Sequence, residues 1–429
     1  MGAHGAVHAV WRGGSRGRGW RWTAHHRAST RRRGGSRTRR RAVIYLDNAA
    51  TSWPKPKSVP QAMERFLREY GANPGRSGHA LSIQAGRVVF EARERVARLF
   101  GHRDPLSVVF TKNATEALNM AILGLLQPGD HAITSTMEHN SALRPLRFLE
   151  GRGVAVSRIS CGADGTLDPG DVARAISPAT RLIVLSHASN VVGTLCPIAE
   201  IGRLARERGC LFCVDAAQSA GAVPIDMAAM GIDLLAFTGH KSLYGPQGTG
   251  GLCIGDRARG RLRPLLYGGT GSASDSDVHP DFLPDRFEAG TQNAVGLAGL
   301  AEGIAFVEER GLENIRRHET ALTTRLFEGL REVPGARVFG TQDAQRKIAV
   351  VSFNLEGWSC SEVAQALEDR AGICCRAGLH CAPLSHRQLG TFPEGTVRFS
   401  LGLFNTETEI AAAIDAVREI AKRPKGGLP

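Results

Sequence analysis

The sequence has no apolar run long enough to cross a bilayer. Its longest charge-free central stretch, residues 182–199, carries Ser186, His187, Ser189, Asn190, Thr194 and Pro197, too polar for lipid. No apolar stretch follows the N-terminal positive charges, so a secretory signal is also missing. Nine cysteines, an odd and scattered set, lack the paired spacing of a zinc site. They point to reduced thiols in a cytoplasmic-type compartment and exclude a disulfide-stapled miniprotein. Cys210 and Cys213 form a C-x-x-C inside an apolar run, where residues three apart on a strand face opposite sides; core packing is the expected role. Lysine is rare, seven against 47 arginines.

Acid is absent from residues 1–41, which hold twelve arginines. The net charge of +13 belongs to that tail, because residues 42–429 carry 42 basic and 41 acidic side chains. The body therefore gives no electrostatic reason to expect specific nucleic-acid binding. Residues 1–42 show no apolar periodicity and are expected to be a disordered basic tail. Three readings of it stand: a mitochondrial-type transit peptide, a basic arm for polyanions, or read-through upstream of a true start at Val43. The arginine bias of high-GC coding favours the third.

At 429 residues the chain suggests two or three domains, or one large and one small. Near-continuous apolar runs at Val108–Thr111, Ala132–Ser135, Leu182–Ser186, Phe212–Asp215, Leu234–Phe237 and Gly251–Ile254, with Ala155–Ile159, alternate with helical patterns such as Thr115–Leu126 and Ala199–Arg208. Strands buried on both faces and alternating with helices predict an α/β fold with a mostly parallel sheet. That large domain is expected over 43–293, with 43–60 packing on a smaller α+β domain over 294–422. The smaller domain reads as a long helical region (Ala294–Val333), strands near Val338 and at Ala349–Phe353, a helix at Ser361–Arg370, and a strand at Val397–Leu401. Thr406 and Glu409 have capping-box spacing for the last helix, and 423–429 is expected to be disordered. Residues 270–285 are rich in Ser, Asp and Gly and suggest no chemistry.

Open α/β sheets bind ligands beyond the carboxyl ends of their strands, and five successive strands end in polar residues here. Thr115 and Glu116 follow Asn113 at a helix start suited to phosphate. His139, in Glu138-His139-Asn140, fits either ring stacking or a plain turn. Asn190, then Asp215 with Gln218, then Thr238, His240 and Lys241 end the others. Each alone has an ordinary explanation. A carboxylate followed 26 residues later by a rare lysine, both at strand ends, is what pyridoxal phosphate requires: the amine holds the cofactor and the carboxylate keeps its ring nitrogen protonated.

The pattern Asp215-x-x-Gln218 with Thr238-x-His240-Lys241 resembles the class V aminotransferase superfamily of fold-type I pyridoxal phosphate enzymes. The likeness runs from Val43 to Lys422 and includes Tyr45-Leu46-Asp47-Asn48-Ala49-Ala50-Thr51. Arg376-Ala377-Gly378-Leu379-His380-Cys381-Ala382, followed by Arg398, resembles the group II cysteine desulfurases. Such enzymes usually carry Arg-x-Gly-His-His-Cys-Ala; here Leu379 stands at the first histidine. The resemblance implies Lys241 as cofactor anchor and base, Asp215 at the pyridine nitrogen, Asn190 and Gln218 at the ring hydroxyl, and His139 stacked on the ring. It places Thr115, Glu116, Thr238 and His240 around the cofactor, and Thr291 on the partner subunit's phosphate, hence a homodimer. Arg398 would clamp the substrate carboxylate, and Arg376, Asn73 and Arg76 would lie near the substrate.

Cys381 is the implied nucleophile, taking sulfur from L-cysteine as a persulfide and releasing alanine. A thiol reacts as thiolate and needs a positive neighbour or a proton acceptor, which Arg376 and His380 offer. A sulfur-acceptor protein, supplying iron–sulfur cluster or thio-cofactor assembly, would follow; no metal site and no membrane contact are expected. Selenocysteine or cysteine-sulfinate lyase activity, or transamination, remain alternatives on the same scaffold. A nucleic-acid-associating protein using the basic tail is a further alternative, disfavoured by the neutral body.

Overall fold

The computed structural model describes residues 43–75 and 77–422. The expectations for residues 1–42, Arg76 and residues 423–429 lie outside the described residues. Ile44–Tyr45 (β1) precedes helices Ser58–Glu69 (α1) and Ala80–Leu99 (α2). Strands and helices then alternate: Val108–Thr111 (β2), Ala114–Leu125 (α3), His131–Ser135 (β3), Asn140–Glu150 (α4), Ala155–Ile159 (β4), Pro169–Ala175 (α5), Thr180–Ser186 (β5), Ile198–Glu207 (α6) and Leu211–Asp215 (β6). Leu234–Thr238 (β7), Gly250–Ile254 (β8) and the short Asp256–Arg259 (α7) complete this half.

These strands form one seven-stranded sheet in the order β2-β8-β7-β6-β5-β3-β4. Only β8 runs against its neighbours; β7, β6, β5, β3 and β4 are parallel. The apolar runs reflect burial on both faces. Ile183, Leu185, Phe212 and Val214 pack into one core, while Leu182, Val184, Leu211 and Cys213 pack into the opposite one. Cys210 lies in the first of these cores and Cys213 in the second, so the C-x-x-C is packing rather than a ligand pair. Burying each such aliphatic or aromatic side chain contributes roughly 1.5–3 kcal/mol.

Beyond the sheet come Ala294–Arg310 (α8) and Leu312–Arg331 (α9). The sequence reads as one long helical region there. The structure breaks it at Gly311, whose φ of +77° is left-handed, a conformation that suits glycine. Ala336–Phe339 (β9), Val350–Leu355 (β10), Cys360–Ala371 (α10), Ile373–Cys374 (β11), Arg376–Gly378 (β12), Pro383–Gln388 (α11), Thr396–Ser400 (β13) and Glu407–Ala421 (α12) follow. Thr406 and Glu409 do form the capping box of α12. Strands β12-β13-β10-β9 make an antiparallel sheet. The segment at 44–47 pairs β1 with β11 in a separate two-stranded sheet and reaches the four-stranded one through a bridge from Asp47 to Ser400. α8 packs chiefly on α1 and α2. The described residues belong to a single compact unit.

One buried ion pair ties α2 to the irregular chain before α8. Arg93 and Glu288 side chains are 6% and 5% exposed. Arg93 donates to both Glu288 oxygens and to the Val108 carbonyl, and Glu288 Oε1 accepts from Phe110 N at 2.6 Å. Removing one partner strands a buried charge. Glu288→Ala is expected to lower unfolding stability by about 3–5 kcal/mol, measured by denaturant titration; a loss below about 1 kcal/mol would contradict it.

Candidate active site

The carboxyl ends of β2, β3, β5, β6 and β7 open onto one pocket. Of the ten residues expected around a cofactor, eight line it: Thr115, His139, Asn190, Asp215, Gln218, Thr238, His240 and Lys241. Five separate strand ends thus deliver their side chains to one crevice.

Lys241 follows the turn after β7. Gly239 makes that turn fit, since a Cβ there would sit 2.2 Å from Thr249 Oγ1. Burial lowers the Lys241 pKa to about 8; Asp215 opposes this, while Arg398 and Arg376 reinforce it. Asp215, at the end of β6, is itself buried. Burial raises its pKa, and Ala217 N and the Lys241 charge pull it back. Its Oδ1 accepts from Ala217 N at 2.9 Å, which fixes the carboxylate. Behind it lies a second buried acid that the sequence reading passed over. Glu138 accepts from Ser135 Oγ at 2.6 Å, Ser186 N at 2.8 Å and Ser186 Oγ at 2.7 Å, and burial raises its pKa to about 7.

The other end of the pocket is built for an anion. Asn113 caps α3 by accepting from Glu116 N at 3.0 Å, leaving the helix start beside the Thr115 hydroxyl. Thr115 Oγ1 lies 2.7 Å from Ser141 Oγ, which lies 2.8 Å from His139 Nδ1. Ser141 is a site residue with no sequence signal beyond its neighbours. His240 Nδ1 is buried with no hydrogen-bond partner, and burial with the nearby Lys241 charge pushes its pKa down to about 4. An orphaned ring nitrogen, a helix N-terminus and hydroxyls make a donor set that a phosphate would satisfy. With an amine of lowered pKa and a buried carboxylate at the far end, these residues fit pyridoxal phosphate.

His139 sits in the turn before α4 and also faces the pocket. It caps α4, its Nδ1 accepting from Ser141 N at 3.0 Å, while its ring lines the pocket. Burial and then Lys241 press its pKa to about 4, so it is neutral at physiological pH. Gln218 Nε2 donates to the Ala49 carbonyl at 3.1 Å, and Thr238 Oγ1 reaches Thr249 O at 3.4 Å.

The thiol arrives from the other sheet. Gly378, the last residue of β12, and Gly395, the residue before β13, have left-handed φ of +105° and +88°; a Cβ on Gly395 would lie 2.2 Å from the Gly378 backbone. His380 and Cys381 then take φ of +48° and +60°, a strain of about 1–3 kcal/mol each of the kind found at functional sites. Asn140 N donates to Cys381 O at 2.9 Å, and Asn190 Nδ2 donates to His380 O at 2.7 Å. Cys381 is exposed and shares a second cavity with His139 and Thr115.

The sequence reading gave the thiol two helpers. Among the described residues it has one polar contact, Arg376 Nη2 at 3.9 Å. His380 is buried, its Nε2 3.1 Å from both Thr396 O and Thr396 Oγ1. Burial and the neighbouring Arg398 depress its pKa strongly, so it is a neutral structural imidazole.

Arg398 is 1% exposed. It donates to Asn190 O at 3.0 Å and to Asp47 Oδ1 at 2.9 Å, while its Nε is buried without a partner. Asp47 is the residue here that only a structure could pair with it.

Three expected residues lie elsewhere. The Glu116 carboxylate turns back to accept from Lys112 N at 2.7 Å, and faces an adjoining cavity together with Thr291. Asn73 is exposed; its carbonyl accepts from Ser82 Oγ at 2.8 Å, and it does not line the pocket. Arg76 lies outside the described residues.

The neutral amine is the nucleophile toward an aldehyde. Covalent capture of pyridoxal phosphate by apoprotein should therefore quicken as pH rises through about 8 and level off above it. Asp215→Asn removes the charge that raises the Lys241 pKa, so the midpoint should fall. Stopped-flow absorbance checks this; an unmoved or raised midpoint would contradict the coupling.

The profile of the class-V aminotransferases matches residues 44–412. A probable cysteine desulfurase of Methanothermobacter thermautotrophicus is 38% identical over 383 residues, 88% of this chain and 94% of the relative. One of Pyrococcus abyssi is 36% identical over 89% of this chain and 94% of its own. Among solved structures, the apo cysteine desulfurase of Thermococcus onnurineus NA1 superposes with a TM-score of 0.82 at 37% identity. It covers 89% of this chain and 95% of that one. The Escherichia coli cysteine desulfurase CsdA in an S-sulfonic acid form gives 0.80 at 31%, with 89% and 95% covered. The chain belongs to the class-V aminotransferase family, a family of pyridoxal phosphate enzymes, and within it to the cysteine desulfurases.

Proposed function

We propose that the protein takes the sulfur atom of L-cysteine onto Cys381 and releases L-alanine. One observation carries this: an exposed thiol, on a strained loop hydrogen-bonded to Asn140 and Asn190, opens onto the cavity beside His139. A transaminase or a lyase has no use for such a thiol.

Lys241 would hold the cofactor, with Asp215 at its ring nitrogen, His139 against its ring, Asn190 and Gln218 near its hydroxyl, and Thr115, Thr238 and His240 at its phosphate. When bound, the cofactor supplies an electron sink for the substrate α-carbon. Lys241 Nζ, with a pKa near 8, is suited to take the α-proton and return it near neutral pH. Arg398 supplies a buried cation for the substrate carboxylate, oriented by Asp47 and Asn190. The Arg376 cation stands next to Sγ, and Cys381 would react as its thiolate. That thiolate forms a bond to the substrate sulfur as the substrate's C–S bond breaks. The released electron pair stays with the β-carbon, which is then protonated to give alanine, and the sulfur leaves as a Cys381 persulfide. Exposure of Cys381 suits onward transfer to an acceptor protein's thiol. Thr291, outside the pocket beside Glu116 and Lys112, is proposed to serve the partner subunit of a homodimer. Among the described residues no helix is long and apolar enough to cross a membrane.

Cys381→Ala is expected to cut alanine formation from L-cysteine at least ~100-fold while keeping the absorbance change that cysteine causes. Lys241→Ala should lose both. Undiminished alanine from Cys381→Ala would overturn the reading.

A further inference from the structure

The loop that carries Lys241 leaves β7 without regular structure and closes part of its own backbone. Gly239 O accepts from Gly245 N at 2.8 Å, and Lys241 O accepts from Tyr244 N at 2.9 Å. Between them lies the His240 carbonyl, on the peptide leading into Lys241. Among the described residues it has no donor from its own loop and draws instead on residues 51–55. Ser52 N reaches it at 3.0 Å, Thr51 Oγ1 at 3.0 Å and Lys55 Nζ at 2.7 Å.

Lys55 belongs to no step described above, although lysine is rare in this chain. Its side chain is half-buried. Among the described residues no carboxylate pairs with it, and burial lowers its pKa to about 8, so it remains an ammonium at neutral pH. Its second contact is Ser52 Oγ at 2.7 Å. An ammonium only donates, so Ser52 Oγ accepts there and keeps its own hydrogen. That hydrogen goes to the nearer carbonyl, Lys241 O at 2.8 Å, rather than to His240 O at 3.2 Å. Lys55 thus reaches one carbonyl directly and the next through a single hydroxyl.

We propose that Lys55 is a positioning residue for Lys241, its ammonium fixing the two peptide units that flank the Lys241 Cα. This rests on the reading of Lys241 as cofactor anchor and proton carrier. A side chain with both duties cannot be pinned at its amine, so its backbone must supply the precision; a displacement of about 1 Å can cost ~100-fold in rate. The loop does not supply that precision unaided, since it is irregular and Tyr244 within it has φ of +54°. The same N-terminal segment accepts from Gln218 at Ala49 O and pairs with Arg398 at Asp47. Residues 47–55 therefore form a strap that touches Arg398, Gln218 and the Lys241 loop, and Lys55 fastens its far end.

The test uses holoenzyme with Lys55→Met, which keeps the stem and loses the donors, and Lys55→Arg, which keeps a cationic donor. One readout is exchange of the α-hydrogen of L-alanine for solvent deuterium, which calls on Lys241 and needs no thiol. The other, independent of turnover, is backbone amide exchange of residues 239–249 by mass spectrometry. Lys55→Met should slow the alanine exchange about tenfold in kcat, with KM changed less than about twofold. Amide exchange of the loop should quicken at least about fivefold. Lys55→Arg should restore both to within about threefold. Unchanged alanine exchange in Lys55→Met, or equal losses in the two variants, would overturn the proposal. Lys241→Ala, run alongside, separates the two readings. If it keeps the alanine exchange, the role of Lys241 fails and that of Lys55 with it; if it loses the exchange while Lys55→Met does not, the role of Lys55 alone fails. Should Lys55→Met not fold, nitrogen-15 NMR of the seven lysine amines in native holoenzyme decides. Slow hydrogen exchange at the Lys55 ammonium supports the clamp; exchange as fast as at the exposed Lys57 overturns it.

Discussion

A buried amine and a buried carboxylate at the mouth of one sheet govern this molecule. Burial drives the Lys241 pKa down and the Asp215 pKa up, and each group's charge pulls the other's back. In water such a pair would be worth little; with low-dielectric walls, the charge of one sets the protonation of the other. The crevice exists because β6 and β7 are parallel neighbours whose ends emerge on one side. The large sheet is thus a device for bringing residues 26 positions apart to the same mouth.

The second sheet completes what the first cannot. β13 supplies Arg398, and its pairing with β12 fixes the approach of the Cys381 loop. The N-terminal segment adds Asp47, which bridges to Ser400 and pairs with Arg398. Asn190 joins the two halves, its side chain on His380 O and its carbonyl on Arg398. Arg398, the Cys381 loop and the strand-end pocket are therefore mechanically one assembly. Displacing Asn190 would disturb all three.

The strand ends were legible in sequence because two-sided burial writes itself as continuous apolar runs, and polar residues just after such runs have few other places to go. Lys241 and Asp215 could be read for that reason. Thr115, His139, Asn190, Gln218, Thr238 and His240 followed from the same rule together with the family likeness. What stayed hidden depends on the third dimension. The Asp47–Arg398 pair spans 351 positions, and nothing local marks it. Glu138 sat beside His139 in plain view, but its importance lies in burial against Ser186. Glu116 was expected at the cofactor because it opens the right helix; at the third helical position its carboxylate instead turns back to the chain before the cap. His380 looked like a proton acceptor for its neighbour, whereas the left-handed turn at 380–381 sends its ring to Thr396. The Gly311 break was masked by helical periodicity continuing on either side.

The claim that a buried carboxylate enforces the electron sink can be tested on the ring nitrogen itself. The measurement is the nitrogen-15 chemical shift of labelled pyridoxal phosphate bound at Lys241, in native protein and in Asp215→Asn. A protonated ring nitrogen in the native protein that loses its proton in the variant is the expected result. A neutral nitrogen in the native protein, or the same protonation in both, would contradict the role given to Asp215.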